Sequence, residues 1–260
     1  MTEASRSEGS DRSEVTPGPD PSSPSGSAAL RQLSRWGGVA GLAGVILFVG
    51  TVGVVTALGL PDASDPETLT DFADIESGRI AEHLLYLGAL ILFALLAFAL
   101  HQLLRRAHPA AALFGTVTAA FGLGIMAASS LLHLSTSPLA ELYEAADTSE
   151  DQQMVEYAWH GAQSVFDTML VTGALLVPVG IVQFGVAMRA APAFGSRLAA
   201  VTIGLGVVGI HGALIEIVYD DSDASADDIL AIVVFNLSVG WRLLTLGRTE
   251  GVDRVLAGGG

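Results

Sequence analysis

The run from Glu156 to Met188 is almost uninterruptedly apolar after Ala158 and ends beside Arg189. A hydrocarbon core of ~30 Å takes roughly 20 residues at 1.5 Å each, so this run is long enough to cross one as a helix. Its first two turns are not purely apolar. At about 100° per residue, His160, Ser164 and Asp167 fall in one narrow sector with Gln163 at its border, which gives the helix a polar stripe. A carboxylate inside a bilayer is expensive unless it faces protein or a wet cavity. Something elsewhere in the chain must face that stripe.

Five further apolar stretches are available. With the first they predict an all-α, polytopic integral membrane protein of six transmembrane helices, at about 37–60, 80–104, 109–134, 158–188, 198–219 and 229–246. Composition agrees: 51% of the residues are hydrophobic, 15% are charged, and mean hydropathy is +0.55. Residues 1–30 are rich in Ser, Pro, Gly and acidic residues and predict a disordered tail, and 249–260 predict a flexible C-terminal tail. Pro61 to Ile80 is acidic, with a helix start at Ser64 or Asp65 before Pro66. In the second acidic segment, Leu139, Leu142 and Tyr143 are spaced for a short amphipathic helix, and Thr148 or Ser149 starts the fourth span well before its apolar part. Pro178 predicts a kink. Gly37 and Gly41 have the spacing that lets helices approach closely.

Charge sets the orientation. Arg31, Arg35, Arg105, Arg106, Arg189, Arg197, Arg248 and Arg254 all fall in segments on one side, and the opposite loops hold only Arg79. The positive-inside rule then puts both termini in the cytoplasm of a multi-pass plasma-membrane protein. The net charge of −15 leaves no basic patch for nucleic acid, and the absence of cysteine excludes disulfides, thiolate metal sites and cysteine nucleophiles. All twelve basic residues are arginine, a lysine-free, acidic composition that resembles the proteins of extreme halophiles.

On that topology His83, His133, His160 and His211, four of the six histidines, lie in the outer half. Asp167, His211 and Asn236 are each roughly 8 to 11 residues from the outer ends of their helices, about 12 to 16 Å deep, and are expected to meet at one level. The predicted ligand- or proton-binding set is Asp167, His211, His160, Glu216 and Asn236, with His83, His133, Gln163 and Glu82 as a second set nearer the headgroups. Asp167 and His211 are expected to form a buried pair lining an outward-facing cavity.

Four functional classes can use such a set. A transporter-like or proton- or cation-linked protein fits an Asp and a His on glycine-rich helices beside Pro178 and is the leading reading. A non-catalytic membrane subunit or sensor is the alternative. An outer-leaflet metal-dependent hydrolase is chemically possible, but there is no HExxH and no pair of histidines at i, i+4. A b-type haem needs two facing histidines, for which His83 with His160 is the reasonable pair. No cofactor is predicted and no catalytic residue is assigned. The expected partners are the lipid bilayer and a proton, small cation or small molecule, with a homo-oligomer left open.

Two segments carry a family resemblance. The run from Phe72 to Arg106, an outer helix entering a long span that ends in LLRR, and MRAAPAFGSRLAAVTIGLGVVGI, from Met188 to Ile210, resemble the DUF4386-type membrane proteins of bacteria and archaea. The resemblance implies a six-helix membrane fold and carries over no functional residues.

Overall fold

The computed structural model describes residues 24–61, 69, 72–218 and 225–248. It is built from α1 (Pro24–Leu58), α2 (Phe72–Leu104), α3 (Pro109–Leu134), the short α4 (Ser137–Glu144), α5 (Ser149–Arg189), α6 (Ser196–Val218) and α7 (Ser225–Arg248). Among the described residues six helices are long and apolar enough to cross a membrane, as the sequence predicts. The expected helix start at Ser64 or Asp65 and the tail segments 1–23 and 249–260 lie outside the described residues. α1 already begins at Pro24, so the stretch 24–30 is helical rather than part of the tail.

The helix-start signal before the fourth span acts where the sequence places it. Thr148 caps α5, its hydroxyl accepting from the Asp151 N–H at 3.2 Å, with Glu150 and Asp151 in the first turn. This start makes α5 41 residues long, so at 1.5 Å per residue it runs about 60 Å and projects beyond its neighbours. α5 continues through Pro178 as one helix. α4 lays Leu139, Ala140 and Tyr143 against Leu69 and Trp159, a small apolar cluster that ties the projecting part of α5 to the loops.

The spanning helices follow one another around a ring in chain order, and α7 closes it by packing against α1. Their seams are glycine-lined, because apolar side chains gain little by leaving lipid and close backbone contact must supply the attraction. Between the antiparallel α3 and α5, Gly115 faces Gly180 and Gly122 faces Gly173. A Cβ at Gly180 would stand 2.8 Å from the Gly115 carbonyl oxygen, and one at Gly173 2.8 Å from that of Gly122. Between α5 and α6, a Cβ at Gly206 would meet the Pro178 carbonyl at 2.8 Å and one at Gly209 the Pro178 ring at 2.7 Å. Gly37 and Gly41 do press α1 onto its neighbours, with Ala99 Cβ 2.4 Å from a Cβ at Gly37.

The two halves of the ring are filled differently. At the end where Arg105, Arg106, Arg189, Arg197 and Arg248 gather, the basic end, Leu96, Leu100, Ile181, Phe184, Val239 and Leu243 are fully buried, and Phe184 stacks on Phe235 with ring centroids 6.3 Å apart. Arg242 crosses to the α5–α6 turn and donates two hydrogen bonds to the Ala193 carbonyl. Towards the opposite, acidic end, the interior opens into a cavity.

Candidate functional site

The cavity measures about 210 Å³ and is lined from all six spanning helices. α2 supplies one wall through Glu82, His83, Tyr86, Leu90 and Phe93, a stripe at three- and four-residue spacing that starts one turn earlier with Arg79. Phe48 and Thr51 come from α1, Leu123, Met126 and Ser130 from α3, Phe166, Leu170 and Ala174 from α5, Glu216 from α6, and Ile229 and Ile232 from α7. Most of this wall is apolar. Below it, Phe93, Leu123 and Ile232 separate the cavity from a void of about 10 Å³ that Asn236 borders.

The polar groups concentrate towards the acidic end. Arg79, only 4% exposed, pairs with Glu82 at 2.9 Å and also donates to the Pro61 carbonyl. His83 lies between two side chains of α3: its Nδ1 is 2.9 Å from Ser130 Oγ, and its Nε2 is 2.9 Å from His133 Nδ1. All three are buried. His133 is flanked by two aromatic rings of α5, Phe166 at 4.9 Å and Trp159 at 6.3 Å between centroids. Trp159 and Gln163, one turn apart on α5, are buried, and among the described residues neither the Trp159 Nε1 nor the Gln163 Oε1 has a hydrogen-bond partner. Glu216 is half-buried in the wall, and the exposed Asp167 lies within Coulombic reach of it, across the seam between α5 and α6.

The expected constellation is therefore redistributed. Of the first set, Glu216 lines the cavity and Asp167 stands beside it. His160 and His211 are exposed on the outside of the bundle and do not line the cavity. Asn236 is buried, but its amide donates to the Ile232 carbonyl of its own helix at 2.8 Å, in the floor. The pairing of Asp167 with His211 inside a cavity is overturned by the packing of α6. Its buried face is set by Gly206, Gly209, Gly212 and Ala213, and His211, about 200° round from Gly209, points the other way. Asp167 also stands level with the last turns of α6 rather than with Asn236, because α5 projects so far. In the second set, Glu82 and His83 line the cavity, His133 bonds to His83, and Gln163 is buried at the same end. The haem pairing of His83 with His160 is not formed, since both nitrogens of His83 are engaged on α3. Among the described residues no three His, Asp or Glu side chains are placed to hold a metal ion.

Arg79, Ser130 and Trp159 were not among the expected site residues. The α2 stripe Arg79, Glu82, His83, Tyr86 was the signal that could have found the first, and the shared face of Ser130 and His133 the second.

Residues 30–247 match the family model described as Domain of unknown function (DUF4386). No curated protein and no solved structure matches the chain.

Proposed function

The chain belongs to the DUF4386 family and is an integral membrane protein, and from that premise we propose that it takes a small amphipathic cation into its central cavity from the outer side of the plasma membrane. The observation that carries this reading is Glu216, a carboxylate half-buried in a wall that is otherwise mainly apolar. Glu82 is already matched by Arg79, whereas the charge beside Glu216 is a second carboxylate, that of Asp167. A carboxylate partly desolvated in an apolar wall is stabilised by a cation beside it. The size fits a small guest: a cavity of ~150 Å³ takes up benzene, so about 210 Å³ suits an aromatic or branched aliphatic amine only somewhat larger. The arginine distribution supports the orientation, with the basic end and both termini in the cytoplasm.

A carrier must also release its guest on the far side. The stacked Phe184 and Phe235 and the leucines beneath them close that route here, as in the one-side-open state of an alternating-access protein. The same solid floor favours a second reading, a sensor that binds without transporting. Uptake of labelled phenethylammonium into proteoliposomes separates the two. Accumulation above that in empty vesicles supports a carrier, and binding without accumulation supports the sensor.

A further inference from the structure

The geometry points to a further activity in the same cavity: Ser130, His83 and His133 form an acyl-transfer site for small, largely apolar carboxylic esters. The inference rests on the reading that the cavity admits a guest. Covalent catalysis by serine requires a base within hydrogen-bond reach of the hydroxyl and a third group that fixes the base, and here both links measure 2.9 Å. With the proton of His83 on Nε2 and directed at His133 Nδ1, the Nδ1 lone pair of His83 faces the Ser130 hydroxyl. That is the tautomer a general base needs. Ser130 is part of the wall of the cavity that a guest would occupy. Ser129, its neighbour in sequence, instead donates its hydroxyl to the Met126 carbonyl at 2.8 Å. The wall beside Ser130, with Leu90, Met126 and Leu170, is apolar and suits an acyl chain.

The step balances with water as the only co-reactant. Ser130 Oγ attacks the ester carbonyl carbon while its proton passes to His83 Nδ1. The carbon–oxygen bond to the alcohol then breaks, and the alcohol departs with that proton. Water attacks the acyl-serine, giving a proton to His83, and the Ser130 oxygen leaves with it, so that one ester and one water become one acid and one alcohol. The tetrahedral oxyanion needs a donor, and Arg79, one helical turn from His83, carries a buried Nε–H with no hydrogen-bond partner among the described residues. His133 is a positioning residue, acting through His83.

The test is covalent labelling of the purified full-length chain with diisopropyl fluorophosphate, the adduct being located by peptide mass. The expected result is one adduct, on Ser130, and hydrolysis of p-nitrophenyl acetate that falls at least tenfold in Ser130→Ala and in His83→Gln. His133→Leu should lose the rate, and His133→Asn, which keeps an acceptor near the Nδ1 position, should restore part of it. Site mapping on the unmodified protein does not depend on any variant folding. In parallel, Ser130→Cys is treated with neutral methyl methanethiosulfonate, which has no other target because the chain holds no cysteine. Reaction of the Ser130→Cys variant, with no adduct on Ser130 of the unmodified chain, overturns the acyl-transfer site and leaves the cavity reading standing. An adduct elsewhere also overturns it, and the failure of both reagents overturns both readings.

Discussion

His83 and His133 meet edge to face, their ring planes at 89° and centroids 4.8 Å apart, with Nε2 of the first 2.9 Å from Nδ1 of the second. One nitrogen of that contact must carry a proton and the other must not, so the tautomer of either ring fixes that of the other and, through it, the direction of the bond to Ser130. The contact also joins α2 to α3 beside the cavity. Replacing His83 by Ala strands two buried groups at about 1–3 kcal/mol each. Thermal unfolding in micelles should register that loss for His83→Ala and a comparable one for His133→Ala. The double variant should fall short of their sum by about 0.5–3 kcal/mol. Strict additivity would mean that the two rings do not interact.

The glycine seams make a second prediction. Gly180→Ala forces a methyl to 2.8 Å from both the Gly115 carbonyl and Ala119 Cβ, and backbone cannot yield as a flexible side chain does. A loss of about 1–3 kcal/mol is expected. Gly53→Ala meets nothing within 4 Å among the described residues and should be neutral or gain about 0.5–1 kcal/mol from helix propensity. Equal effects of the two substitutions would contradict the packing of α3 on α5.

The span count was legible because bilayer thickness dictates the length of an apolar run, and α5's start was legible because Thr148 and Asp151 are a local signal. Which way each helix faces was not. In lipid both faces of a spanning helix are apolar, so polarity marks the interior poorly. Polarity alone predicts an interior place for Asp167 and His211. In fact Gly206, Gly209 and Gly212 decide the buried face of α6, because only small residues let it approach Pro178 closely. Gly115, Gly122, Gly173 and Gly180 carried the same message for α3 and α5 in their seven-residue spacing. The contact of His83 with His133 joins residues from two helices, and no spacing within either helix encodes it.

Orientation is open to a direct check. Single cysteines at Asp147 and Glu150, exposed at the acidic end, should react with an impermeant maleimide on intact cells. One at Ala110, exposed at the basic end, should react only after the cells are opened. The reverse pattern would turn the protein over and place the cavity mouth in the cytoplasm.

Carboxylate recognition at the cavity wall is tested most directly by calorimetric titration of the purified protein in nanodiscs with phenethylammonium. One guest per chain is predicted, with affinity at least tenfold weaker in Glu216→Gln and unchanged in Glu150→Gln. Binding of equal strength in all three proteins, or none in the unmodified chain, would contradict the account.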